Sequence, residues 1–191
     1  MENVLVLKTT DLDLLNKQNP LENILDFTFF TKRQPAETNE ELKQIIPYVY
    51  ISFENSDTFL ISKRLKGSTE SRLVDKLSLG FGGHINTSDN ERSATPADIF
   101  DSCIRRELSE ELAIPQLWHY SFTFKGMINL NTNAVERCHL GLVYHLSLST
   151  KAITSAEKDK LSTEWINKAE IKQNYEQLEG WSKFVFENYI D

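Results

Sequence analysis

The chain has two cysteines in 191 residues, Cys103 and Cys138, and no spacing that reads as a zinc motif or a disulfide framework. It has no window approaching the ~20 apolar residues of a membrane span. Met1-Glu-Asn-Val-Leu-Val-Leu-Lys8 lacks a basic segment followed by a long apolar run, so no secretory leader is expected. Basic residues are outnumbered, 21 against 28 acidic, for a net charge of -7 and a pI near 5.2. A basic stripe able to follow a nucleic-acid backbone is therefore not expected, although a nucleotide neutralised by a metal is compatible with the charge. There is no internal repeat and no low-complexity tract. These absences predict a protein of the reducing cytoplasm, without membrane or nucleic-acid polymer as partner. The length suits a single domain with a full core, spanning residues 1–191, with residues 1–44 as an amino-terminal elaboration.

What the chain does have is concentrated in Arg106-Glu107-Leu108-Ser109-Glu110-Glu111. The segment Thr95–Leu112 reads as a helix. Thr95 suits the N-cap and Pro96 the first turn, and Asp98 completes a variant capping box. Glu107, Glu110 and Glu111 fall at i, i+3 and i+4, so they share one face. Like charges so spaced repel by a few tenths of a kcal/mol per pair. Glu110 and Glu111 also occupy the last turn, where the helix dipole disfavours anions. Taken by itself such a cluster is more often a solvated acidic surface, whereas a divalent cation would reverse both penalties. Magnesium takes carboxylate oxygens, keeps several waters and bridges to phosphates.

Other elements are read more coarsely. Val4–Leu7 is a strand candidate, Asp11–Ile24 a helix or turn region broken by Pro20, and Thr38–Ile46 a short helix ending before Pro47. Tyr48–Phe53, a polar turn at 54–57 and Thr58–Ser62 read as a hairpin. Leu77–Leu79 leads as a strand into glycines. Asn86–Ala94 is polar and reads as an inserted, mobile loop. Trp118–Leu130 and Arg137–Leu148 read as strands, and Ile171–Ile190 as a terminal helix that Gly180 interrupts. Strands flanking a helix, with a long strand and a final helix, give a layered α/β class.

Gly82-Gly83-His84 followed by Arg106-Glu107-Leu108-x-Glu110-Glu111-x-Ala113-Ile114 resembles the signature of the Nudix hydrolases, G-x5-E-x7-R-E-U-x-E-E-x-G-U, where U is a bulky aliphatic. The second half matches except that Ala113 replaces the last glycine. Arg106 lies 23 residues after Gly83 where the signature has 14, so the intervening loop is longer by nine, and the signature's first glutamate falls on Asp98. The likeness continues in Glu70-Ser-Arg-Leu73, Leu77–Asn86, His139-Leu-Gly141 and Trp181–Val185. These are similar to a Nudix phosphoesterase group whose turn reads G-x-G-G-H-I-N and whose loop is also long. Similarity covers about residue 45 to the end.

The resemblance implies the Nudix fold, a mixed sheet sandwiched between helices, and a magnesium- or manganese-dependent pyrophosphohydrolase. Its substrate would be a nucleoside diphosphate linked to another moiety, or a similar organic diphosphate. It implies Glu107, Glu110, Glu111 and the Gly82 carbonyl as metal ligands, and Gly83 as part of the turn. Arg106 is expected to point away from Glu107 and to pair with Asp98 in support of the site. Glu136 is the first candidate for a general base, against a reading as a solvated loop glutamate, with Glu70 second. His84 and Arg72 are candidate substrate contacts. His139, His145 and Cys103 read as structural, and Tyr48, Tyr50 and Phe53 as core rather than base-stacking residues. A ligand-sensing Nudix-fold module without turnover is the alternative. A diphosphate isomerase would need cysteine and tryptophan-glutamate motifs not seen here. Substrate identity and a homodimer are left open.

Overall fold

The computed structural model describes residues 2–65, 76–157 and 159–191. Strand β1 (Asn3–Lys8) forms as expected, with Val4 to Leu7 all buried. The region expected as helix or turn is a set of 3-10 turns, Thr9–Leu14, Pro20–Glu22 and Ile24–Phe27. The aromatic-rich segment after it becomes β2 (Thr28–Lys32), antiparallel to β1 with Val4 opposite Thr31. A single helical turn, α1 (Arg33–Ala36), follows.

Next comes β3 (Leu42–Phe53), and it corrects the helix expected at 38–46. Pairing outweighs local propensity there. Leu42, Lys43 and Gln44 pair with β1, and the Gln44 N–H donates to the Cys138 carbonyl at 2.8 Å. Ile45 and Ile46 are β-branched and suit that ladder. The expected hairpin is present: β4 (Thr58–Arg64) runs antiparallel to β3, with Ser52 opposite Phe59. Short strands β5 (Leu77–Ser78) and β6 (Gly80–Gly82) lead into the glycines.

The mobile inserted loop expected after the glycines is also corrected. The segment forms α2 (Thr87–Arg92), closed by a reciprocal capping box. The Asn86 side chain accepts from the Ser88 and Asp89 N–H groups, and the Asp89 carboxylate accepts from the Asn86 N–H at 2.9 Å. Asp89 is fully buried. The box Asn86-Thr-Ser-Asp89 fixes a helix start even where apolar periodicity is missing.

A 3-10 turn at Pro96–Asp98 then runs into α3 (Ile99–Glu111), so the expected helix begins with one tighter turn. Beyond it lie β7 (Leu112–Ala113) and β8 (Thr123–Ile128). β8 starts later than expected because Gln116 is left-handed, at φ 54°, and a 3-10 turn occupies Leu117–His119. One turn of helix, α4 (Ala134–Arg137), precedes the long β9 (His139–Leu148). β10 (Thr154–Ser155) and β11 (Leu161–Asn167) complete the strands. The terminal helix is interrupted as expected. α5 (Lys168–Gln173) stops, and Gly180 opens α6 (Gly180–Val185), which continues as a π-helical turn at Phe186–Ile190.

The chain divides into two compact units. The first comprises Met1–Tyr48, Gly82–Ile104 and Gly126–Val143; the second comprises Val49–Phe81, Arg105–Lys125 and Tyr144–Asp191. Each combines strands with helices, which is the expected mixed α/β class. In the first, β1 lies between β2 and the start of β3, over a cluster of Val4, Val6, Ala36 and Leu42. Residues 1–44 therefore supply strands to this unit. In the second, β4 pairs with β11 along its length and with β5 at its end. Ile61, Leu77, Leu79, Ile166, Ile171, Leu178 and Phe186 form its apolar cluster, so the terminal helices cover these strands. Burial of this kind supplies roughly 1.5–3 kcal/mol per large apolar side chain. Among the described residues no helix is long and apolar enough to cross a membrane.

Candidate active site

The carboxylate cluster lies in the second unit, on the last two turns of α3. Leu108 and Leu112 are buried at 0% and 2% exposure, which anchors the apolar side of this segment. The side chains of Arg106 and Glu107 are 12% and 16% exposed, whereas Glu110 is 59% exposed. Arg106 donates from Nη1 to Glu107 Oε1 at 2.6 Å, and the same nitrogen lies 3.5 Å from Glu110 Oε1. This corrects the expectation that Arg106 points away from Glu107. Neighbouring residues leave a helix in different directions, but the long arginine and glutamate stems bend back far enough to meet. The guanidinium offsets one of three negative charges, so Arg106 with Glu107, Glu110 and Glu111 carries -2 in total. The last turn of α3 has no basic residue. The charge and the helix dipole thus both favour a cation at this end.

Two further contacts hold this end of the helix in place. The Glu111 carbonyl accepts from the Ala156 N–H at 2.9 Å, beside the β7–β10 pairing of Leu112 with Ser155. An otherwise orphaned helix carbonyl is thereby satisfied. Arg105 donates to the Leu117 and Tyr120 carbonyls at 2.8 and 3.1 Å and lies over the Phe122 ring at 4.9 Å. It pins the chain that leaves the helix. Nothing in its sequence context distinguishes it from any other helix arginine.

Among the described residues, no three Cys, His, Asp or Glu side chains converge into a closed metal site. Magnesium does not require one, since one or two carboxylates with several waters suffice. Glu107 and Glu111, one turn apart and made only of oxygen donors, fit that hard ion chemically.

Gly82, Gly83, His84, Asp98 and Glu136 lie in the first unit. Gly82 is required by close approach: a Cβ there would sit 1.9 Å from the Pro47 carbonyl oxygen. The Cys103 thiol is buried and points at the Gly83 and His84 carbonyls, 3.8 and 3.7 Å away, as a packed small side chain. Asp98 forms the variant capping box. Its Oδ2 accepts from the Thr95 N–H and the Thr95 hydroxyl, each at 2.8 Å. Thus Asp98 closes its own turn, while the partners found for Arg106 are glutamates of its own helix.

Glu136 is not a solvated loop glutamate. It is 7% exposed on α4, and its Oε2 accepts from the Thr132 N–H at 3.0 Å and from the Thr132 hydroxyl. Its carbonyl accepts from the buried Lys43 ammonium at 3.0 Å, which also donates to Asn131 Oδ1 at 2.9 Å. Burial pulls the Lys43 pKa down. Arg72 and Glu70 lie outside the described residues.

His84 Nε2 lies 3.3 Å from His139 Nε2. His145, in the second unit, pairs with Ser52 Oγ at 2.8 Å and stacks on Tyr50 with ring centroids 4.7 Å apart. Burial pushes the His145 pKa down and that of Tyr50 up to about 12. Tyr48 and Tyr50 are buried core residues, as expected.

No family model matches the chain. Protein YmaB of Bacillus subtilis (strain 168) is 40% identical over 157 residues, covering 81% of this chain and 74% of that protein. The crystal structure of Tm1382, assigned as a Nudix hydrolase, superposes at a TM-score of 0.78 with 32% identity, covering 97% of each chain. DR0079 from Deinococcus radiodurans superposes at 0.60 with 15% identity, over 96% of this chain and 99% of that one. The NUDIX domain of Shewanella oneidensis NrtR, complexed with ADP ribose, superposes at 0.56 with 13% identity, over 76% and 85%. The last two show the fold alone. With a third of its residues identical to Tm1382 over nearly the whole of both chains, on the same fold, this chain belongs to the Nudix hydrolase family.

Proposed function

We propose that the chain is a magnesium-dependent hydrolase of phosphoanhydrides. Its substrate would be a nucleoside diphosphate linked to another moiety, or a similar small organic diphosphate, met in the cytoplasm. The observation that carries this reading is the acidic end of α3. Glu107 and Glu111 lie one turn apart beside Glu110, Arg106 grips Glu107, and no basic residue opposes the dipole. Such a cluster weakens the helix unless it serves a cation.

In this reading Glu107 and Glu111 hold the ion, with Glu110 as a further ligand. Manganese is the alternative ion. When bound, the metal neutralises phosphate charge and lowers the pKa of a coordinated water. Arg106 positions the Glu107 carboxylate by binding one of its oxygens. Asp98 fixes the turn that opens the helix. Gly82 lets the chain pass where a side chain would collide with the Pro47 carbonyl. His84 and Arg72 are the candidate phosphate contacts. Oε2 of Glu136 is engaged with the Thr132 N–H and hydroxyl, which counts against Glu136 as the group that orients the attacking water.

The rival reading is a ligand-sensing module of the same fold, and thermal unfolding separates the two. Millimolar magnesium against a millimolar site stabilises by only about 0.4 kcal/mol. Magnesium together with a non-hydrolysable ADP-ribose analogue should raise the melting temperature by more than the two separate shifts combined. The excess should vanish in the Glu107→Gln, Glu111→Gln double variant. A ligand shift that is the same with and without metal, and that survives in the double variant, would favour the sensing module.

A further inference from the structure

We propose that His84, His139 and Gln44 form a second cation site, suited to a borderline transition metal of the zinc class and distinct from the carboxylate helix. All three lie in the first unit. His139 heads β9 and is 7% exposed, and Gln44 lies in β3 with 0% exposure. The Nδ1 of His139 is 2.7 Å from the Val135 carbonyl oxygen. A carbonyl can only accept, so Nδ1 carries the proton, and the neutral tautomer then presents a lone pair on Nε2. Metal-binding histidines are commonly fixed in this way, by a carbonyl behind the ring.

In front of that lone pair are two groups at equal range. His84 Nε2 and the Gln44 carboxamide nitrogen each lie 3.3 Å from His139 Nε2. That separation is long for a hydrogen bond between nitrogens. It matches two ligands of one tetrahedral ion, which bonds of about 2.0–2.1 Å place roughly 3.3–3.4 Å apart.

Gln44 supplies an independent observation. Its Oε1 is buried and has no hydrogen-bond partner among the described residues. A buried oxygen left so is destabilising, because it has given up water and gained no donor in its place. Oxygen and nitrogen of a carboxamide exchange places by a half-turn, with almost no change of shape. That turn sets Oε1 3.3 Å from His139 Nε2, where the neutral imidazole has no proton to give. A metal ion there is coordinated by two imidazole nitrogens and the carboxamide oxygen at once. Nitrogen-rich donors select zinc, cobalt or nickel over magnesium. His84 is only half-buried, so it provides the entrance, and a water completes four-coordination. The occupied site would also tie the glycine turn to β3 and β9. None of this depends on the hydrolase reading.

Cobalt(II) reports the site directly, because a tetrahedral ion absorbs far more strongly in the visible than an octahedral one. Chelator-treated full-length protein titrated with cobalt chloride should develop such a band, saturating at one equivalent and discharged by zinc. The band should persist in the Glu107→Gln, Glu111→Gln double variant and disappear in His84→Gln and His139→Gln, with folding checked by circular dichroism. If the histidine variants do not fold, Gln44→Glu decides, since an added carboxylate should tighten cobalt binding at least ~10-fold. No band in the wild type, a band that survives in folded His84→Gln, or unchanged affinity in Gln44→Glu would overturn the site.

Discussion

Replacing Gly82 by alanine tests how tightly the glycine turn is built. The new Cβ would lie 1.9 Å from the Pro47 carbonyl oxygen, 3.1 Å from its carbon and 3.4 Å from the Tyr48 Cα. Non-bonded carbon contacts settle near ~3.5–4.0 Å, so the shortfall against the oxygen exceeds ~1 Å. The obstacle is strand backbone, which cannot swing aside as a side chain would. β3 is buried from Lys43 to Ser52, so it cannot retreat without disturbing its own packing. Overpacking of this kind costs about 1–3 kcal/mol and sometimes more. The backbone adds to it, because Gly82 has φ 157°, which L-residues seldom adopt. A total of about 3 kcal/mol or more is expected, and at ~2–4 °C per kcal/mol for a chain of this size the melting temperature should fall by at least ~6 °C. Thermal and urea unfolding at one protein concentration, without metal, reads the change. A variant melting within ~2 °C of wild type would refute the close-approach argument and with it the reason for a glycine at this position.

Asp89→Ala removes the buried half of the α2 capping box and leaves the Asn86 N–H without its acceptor, so it should cost about 1–3 kcal/mol, seen as a drop of roughly 3–10 °C. Excision of 87–93 should likewise destabilise the fold, and an unchanged melting temperature in both would return the segment to the status of a loose loop. His145 has a folded pKa below its ordinary 6.5, with burial as the chief cause and Lys125 second. The unfolded state therefore binds a proton that the native state refuses, and stability should decline as pH falls below ~6.5, reaching its full loss once pH is below the folded value. His145→Phe should flatten this part of the acid limb in urea titrations, and parallel limbs in the two proteins would contradict the assignment.

The parts of the fold legible in the sequence are those specified locally. The β3–β4 hairpin has a polar turn between apolar runs, and β9 gathers Leu140, Leu142, Val143, Tyr144, Leu146 and Leu148 within ten residues. The break at Gly180 needs only one residue to be read. The carboxylate helix is legible because its acidic face is a poor helix design that a cation would repair, and because the residues around it resemble the Nudix signature. Where tertiary context decides, local signals mislead. Residues 42–46 look helical beside Pro47, yet pairing with β1 makes them strand and buries Lys43 and Gln44. The α2 helix is hidden from a search for apolar periodicity because a capping box specifies it. Glu136 looks like a loop residue because its burial depends on Thr132 and Lys43, which come together only in the fold. Gln44 and Arg105 carry no local signal at all; their partners come from distant or turn backbone.

The acidic end of α3 is proposed to hold a catalytic metal. This is tested most directly by assaying wild type and Glu111→Gln against a panel of nucleoside diphosphate derivatives headed by ADP-ribose. Magnesium and manganese are each supplied, and released phosphate is read after a phosphatase step. Loss of one metal-bound carboxylate removes several kcal/mol of transition-state stabilisation, so turnover of the best substrate should fall at least ~100-fold. The metal-free variant should melt no lower than wild type, because a repelling charge has gone. Metal-dependent turnover in the wild type that Glu111→Gln retains at near-normal rate would contradict the account.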